Sequence, residues 1–170
     1  MASTVKAKTL RVTIQEDIVL NGTNYGSKTK VNIASINEIF KRIVNIEADD
    51  DATILVFKST VSIAGGTSDT GGDGALKKTD VKYIRITNLD DTNSVNLSLQ
   101  LDSDEDNSAA NLSTTLLLEA GRSFMMGAVD EAVHADDDAS TIVTSLTDLE
   151  SIIVDPGSNA GTIEVFAASV

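Results

Sequence analysis

The chain has 170 residues, a hydrophobic content of 41% and a formal net charge of −13. Such a length favours one domain with a real core, and such a hydrophobicity argues against disorder. The acidic excess repels nucleic acid and anionic membranes, and the absence of cysteine excludes disulfide scaffolds, thiolate catalysis and thiolate zinc sites.

In chain order, the opening "MASTVKAKTLRVTIQ" lacks the apolar centre of a signal peptide. No apolar run approaches the ~20 residues of a membrane span. The expectation is a soluble product of a cytoplasm. "TLRVTI" alternates Leu10, Val12 and Ile14 with polar residues, the period of a half-buried strand. "DIVLNGTNYGSKTKVNI" places Asn21-Gly22 and Tyr25-Gly26 between apolar runs, a turn between strands. In "SINEIFKRIVNI", Ile36, Ile39, Phe40 and Ile43 fall at helical spacing, and Ser35 with Glu38 would form a capping box. The same letters also allow a strand with Ile36, Phe40 and Val44 on one face. Strand is favoured from Lys41 to Ile46, and the first half stays open.

"ATILVFKSTVSI" has a continuous apolar centre from Ile54 to Phe57, as in a strand buried on both faces. Residues 62–80 are rich in glycine and hold no large apolar side chain between Ala64 and Ala75, which predicts a flexible surface loop. "VKYIRITNLDDTNSVNLSLQLD" then reads as a hairpin. Tyr83, Ile84 and Ile86 favour strand, "NLDDTNS" holds turn formers, and Val95, Leu97, Leu99 and Leu101 alternate with polar residues. "STTLLLEAGRSFMM" reads as strand, turn and strand, with Met125 and Met126 on opposite faces. "STIVTSL", "ESIIVD" and "GTIEVFAAS" close the chain around the turn "DPGSNAG". The rhythm of about nine or ten short strands predicts a single all-β domain over residues 1–170, an antiparallel sandwich or barrel with at most one short helix. Ile14, Ile54, Val56, Ile84, Ile86, Leu97, Leu99, Leu117 and Phe124, at strand centres, are its expected core.

Chemistry is harder to find. Asp102, Asp104 and Asp106 have the alternate spacing of an EF-hand loop. That loop needs Gly at its sixth position and Glu at its twelfth, and here Asn107 and Ser113 stand there. A looser calcium site on these three aspartates, or likewise on the Asp triplets at 49–51 and 136–138, is the one cofactor candidate, set against the plainer expectation of a solvated loop with no cofactor. The Asp triplets at 49–51 and 136–138 each precede a strand and are most simply acidic turns. His134 is the only histidine, crowded by acids, and no nucleophile elbow or phosphate loop is present. No catalytic residue is expected, and the chain is read as a non-enzyme.

Several stretches together resemble a known group. "LRVTIQEDIVLNG", "INEIFKRIVNI", "VKYIRITNLDDTNSVNLSLQ" and "LLLEAGRSFMM", in this order, are similar to small structural proteins of tailed bacteriophage virions, especially those of marine phages. The resemblance spans most of the chain, and its motifs are structural rather than catalytic. It implies a β-sandwich of jelly-roll type and a virion building block: a capsid decoration or cement protein, or a neck or tail component. No site residues carry over. The Asp-rich insertions and the glycine loop depart from the pattern.

The expected partners are therefore further copies of the chain, most simply a trimer, and major capsid or other virion proteins, with neither nucleic acid nor membrane. Exposed strand edges need cover. Of Met125 and Met126, one should face outward at an interface, where methionine is enriched. A glycan-binding or adhesive sandwich is the competing reading.

Overall fold

The computed structural model describes residues 6–61, 75–101, 112–135 and 145–170. The chain is all-β, and its only helical element among these residues is a 3₁₀ turn at Lys78–Asp80. In order, the strands are β1 (Lys8–Glu16), β2 (Val19–Leu20), β3 (Thr23–Asn24), β4 (Ser27–Ile36), β5 (Glu38–Ile46), β6 (Ala52–Lys58) and β7 (Leu76–Lys77). There follow β8 (Val81–Asn88), β9 (Val95–Leu101), β10 (Ser113–Leu118), β11 (Ser123–Met126), β12 (Leu149–Asp155) and β13 (Gly161–Ser169).

Two sheets form the body. One is four-stranded, in the order β11-β8-β13-β5; the other is five-stranded, in the order β10-β9-β12-β6-β7. Successive strands mostly change sheet, and the first and last strands of the body, β5 and β13, lie side by side. The second and the penultimate, β6 and β12, pair in the same way in the facing sheet. This winding is the double Greek key of a jelly roll. The sandwich expected from the sequence is therefore present, with that topology.

Alternation explains the core. β8 buries Ile84 and Ile86, β13 buries Ile163, Val165 and Ala167, and the facing sheet supplies Val95, Leu97, Leu99, Ile152 and Val154. Burying each of these Val, Leu and Ile side chains contributes about 1.5–3 kcal/mol. Ile54 is buried as expected, while Val56 and Phe124 are half-buried.

Three expectations are corrected. β8 and β9 do not form a hairpin, since they belong to different sheets. The physical reason is a corner built on Asn88, whose side chain is wholly buried. Its amide donates to the carbonyls of Asn93 (2.8 Å) and Leu118 (3.2 Å), and its Oδ1 accepts from the Asp90 N–H (3.0 Å). These bonds satisfy backbone groups freed where the chain crosses between sheets. Leu117 and Ile14 are not core residues. In β10 the inward phase is Leu116 and Leu118, so Leu117 points to solvent, and Ile14 lies on a ribbon outside the sandwich. The glycine-rich loop is shorter than expected at its far end: Ala75 and Leu76 are buried, and β7 pairs in parallel with the end of β6. Residues 62–74, the rest of that loop, lie outside the described residues.

The ambiguous segment is strand throughout. β4 ends at Ile36 and β5 begins at Glu38, with Ser35 at φ 65° marking the break. The Asn37 N–H donates to the Ser169 carbonyl (3.1 Å), and the Ser169 hydroxyl to Glu38 (2.9 Å). The root of the N-terminal strands is thus fixed to the end of β13.

Candidate functional site

Strands β1 and β4 pair only with each other among the described residues, in register from Leu10 opposite Ile33 to Glu16 opposite Ser27. They make a two-stranded ribbon beside the sandwich. Its register puts Leu10, Val12, Ile14, Val31 and Ile33 on one face and Arg11, Thr13, Gln15, Lys28, Lys30 and Asn32 on the other. The ribbon ends in a tighter hairpin, β2 with β3, turning at Asn21-Gly22. Both turn residues have positive φ, 49° and 81°, the requirement of a two-residue hairpin that Asn-Gly meets best. Gly26 is needed for a different reason: a Cβ there would collide with the Glu16 backbone carbonyl.

The tip is apolar and open. Val19 is 65% exposed, Leu20 54% and Tyr25 65%. The hairpin pairs with no other strand among the described residues, and these apolar side chains stand open to solvent.

The apolar face of the ribbon looks across at the outer face of the four-stranded sheet. There Tyr83 packs edge-on against Phe166, with ring centres 6.0 Å apart. Beside them Glu164 pairs with Lys41 (3.0 Å) and with Arg85. The Lys41 hydrogen bond, aided by the Arg85 charge, holds the Glu164 carboxyl below its ordinary range against the opposing effect of burial. Two open clefts separate ribbon and sheet. One, of about 460 Å³, is lined by residues including Leu10, Val12, Tyr83, Arg85 and Phe166. The other, of about 240 Å³, includes Ile14, Val31, Ile33, Met125 and Met126.

The expected interface methionines lie here. Met125 is 43% exposed and lines both clefts, whereas Met126 packs against the core. Their opposite facing follows from strand alternation in β11. The calcium candidates Asp102, Asp104 and Asp106 lie outside the described residues, as does the triplet at 136–138. No group of three metal-ligating side chains occurs among the described residues. His134 is half-buried next to the bridge between Val133 and Thr147.

A third cleft, of about 490 Å³, opens where β10 and β11 part into different sheets. Leu116, Leu117 and Phe124 line it, with Glu119 and Arg122 at its rim. The loops at this end of the sandwich are acidic: Glu47, Asp49, Asp50, Asp51, Asp91, Glu119 and Asp155 are all exposed. A fourth cleft at the same end, about 320 Å³, is polar and includes Thr92, Asn93, Asn96, Asp155, Ser158 and Asn159. At its edge Asp90 accepts from the N–H groups of Asn93 and Thr92 (both 2.8 Å), which lowers its carboxyl pKa.

The sequence reading missed the ribbon tip and the outward Leu117. A signal for the ribbon was present, since Lys6, Lys8, Arg11, Lys28 and Lys30 gather positive charge in an otherwise acidic chain. Comparison with protein-family models, curated proteins and solved structures finds no match to this chain.

Proposed function

We propose that this chain is a non-enzymatic structural protein of a tailed-bacteriophage virion, acting as a capsid decoration or cement protein. The observation that carries the proposal is the ribbon: a jelly-roll body extends a hairpin whose Val19, Leu20 and Tyr25 stand open to solvent among the described residues. A surface of this kind is built for another surface. Jelly rolls are common in viral capsid domains, an analogy of fold that supports the reading without identifying a role. The sequence resemblance to small virion proteins points the same way. The partners are further copies of the chain, in a trimer at the simplest, and the major capsid or neighbouring virion proteins. Neither nucleic acid nor membrane is among them. The chain is made in the host cytoplasm and resides in the virion. A neck or tail position is the alternative within this reading.

The test is binding of the purified chain to capsids lacking it and, separately, to tails, followed by imaging of the native particle. Density for the jelly roll on the capsid surface is the expected result. Density at the neck or tail moves the role there, and absence from every particle component overturns it.

A second reading, a glycan-binding module, is favoured by the polar cleft of Thr92, Asn93, Asn96 and Asn159. A glycan array separates the two, because a passive cement protein gives no signal there. Sensitivity of any glycan signal to chelation would assign calcium a part in it.

A further inference from the structure

We propose that the ribbon is the arm by which one copy of this chain grips a second copy, with Val19, Leu20 and Tyr25 seated in the cleft between β10 and β11 of that second copy. This deepens the assembly reading by naming the surfaces that join copies, and its test is separable from particle binding.

Charge chooses the occupant. Residues 1–36 carry five basic side chains (Lys6, Lys8, Arg11, Lys28, Lys30) and two acidic ones (Glu16, Asp17). The whole chain is −13, so setting aside this surplus of three positive charges leaves the remainder at −16. An arm positive against so acidic a body is drawn to the body of another copy, and like charges disfavour the reverse pairings of arm with arm and body with body. Lys28 and Lys30 are exposed on the ribbon's polar face and form no ion pair among the described residues. They are available to a partner.

Shape and polarity choose the seat. Leu117 is 61% exposed beside an open cleft floored by Leu116 and Phe124. The adjoining β8–β9 loop is held against it by the Gly121 N–H donating to the Asp90 carbonyl (3.0 Å), which brings Asp90 and Asp91 to the rim with Glu119. An apolar floor, with Asp90, Asp91 and Glu119 outnumbering Arg122 around it, complements an apolar tip followed by lysines. None of the residues 18–25 lines any of the four clefts described among these residues. Because arm and seat are different surfaces, the contact is heterologous, and a rotation that closes makes it a ring, of which a trimer is the smallest beyond a dimer.

The chain has no cysteine, which permits a clean test. L20C and L117C are made as separate full-length variants, one isotopically labelled, mixed and mildly oxidised. Each chain then carries one thiol, so a covalent L20C–L117C pair reports tip against cleft between copies. The expected result is that this mixed dimer dominates over the two homodimers. Its yield should fall several-fold on adding K28E/K30E to the L20C chain. It should also fall as salt rises from about 0.1 M to about 1 M, which shortens the screening length from roughly 10 Å to roughly 3 Å. T53C, exposed on β6 at the far side of the same five-stranded sheet and three strands away from Leu117, should not link to L20C. A random mixture of the three dimers, no dimer, or equal linking to T53C overturns the proposal. Linking of L20C to another virion protein in place of L117C also overturns it, and assigns the arm to that partner. A chain that forms the mixed dimer but binds no capsid or tail refutes the virion role and leaves the arm intact. A chain that binds particles without forming it does the opposite.

Discussion

The sandwich and the ribbon are made from the same kind of strand, yet they place their apolar residues in opposite environments. In the sandwich, Ile84, Ile86, Leu97, Val154 and Val165 are closed off from solvent by a facing sheet. In the ribbon, Ile14 and Val31 are nearly half open, and the tip is more so. Alternation specifies that a strand has an apolar face. It does not specify whether that face is covered by the same chain.

The largest effect should separate the two regions directly. Leu97→Ala removes a side chain with no exposure and should cost about 2–5 kcal/mol in chemical denaturation. Ile14→Ala should cost the isolated chain less than about 1 kcal/mol, because much of that side chain already meets water. Equal costs would mean that the ribbon is packed as firmly as the body.

Next in size is the corner. Asn88→Ala strands the carbonyls of Asn93 and Leu118 and the Asp90 N–H at a buried site, and should cost about 1–3 kcal/mol. Thr13→Ala, on the ribbon's exposed polar face, should stay within about 0.5 kcal/mol. If Asn88→Ala were equally mild, the amide would not be what holds the chain as it changes sheet.

What the sequence disclosed follows this division. Strands with one dominant apolar phase, such as β9 with Val95, Leu97, Leu99 and Leu101, were legible because a single face could be buried. Leu116, Leu117 and Leu118 offered no phase, and only the pairing of Leu118 with Val95 and Leu116 with Leu97 sets which ones turn inward. The β8–β9 connection looked like a hairpin because turn residues lay between strands. Nothing local distinguishes a turn that reverses within a sheet from one that crosses to the facing sheet. The helical spacing of Ile36, Ile39, Phe40 and Ile43 was overridden by the β13 edge, along which β5 pairs from Gly161 opposite Ile46 to Ser169 opposite Glu38. Of the candidate site, Met125 was legible from alternation, whereas the tip and corner cleft depend on packing between elements distant in sequence.

Acid should weaken the body through identifiable groups. Asp148 accepts a hydrogen bond from the Glu131 N–H (2.8 Å) and pairs with the buried Lys78 (3.4 Å), and these hold its carboxyl below the usual range against burial. Glu164 is lowered likewise by Lys41 and Arg85. A carboxyl whose folded-state pKa lies below its unfolded one stabilises the fold fully above the unfolded value, roughly pH 4. That contribution is lost as pH falls through the lower, folded value. The denaturation midpoint should therefore drop below about pH 4. Asp148→Asn should start less stable at neutral pH and lose less on acidification. An unchanged acid response in that variant would remove Asp148 from the account.

The smallest effect on stability belongs to the ribbon's lysines, and there the two regions should part most sharply. Lys28 and Lys30 extend from the polar face opposite Leu10, Val12 and Ile14, exposed and without an ion pair among the described residues. Removing such charges typically changes folding free energy by no more than about 0.5 kcal/mol. Lys28→Ala with Lys30→Ala should thus leave the denaturation curve of the chain in place. The same pair should weaken self-association in sedimentation at low salt, and the loss should shrink as salt rises, since screening already removes the attraction in the unmodified chain. On the body, Lys82→Ala at a half-buried position should leave association untouched, because its ammonium is already bonded to the Thr79 carbonyl (2.8 Å). If the ribbon lysines altered folding and left association untouched, the ribbon would be part of the body's own stability, and the distinction between the two regions would fail.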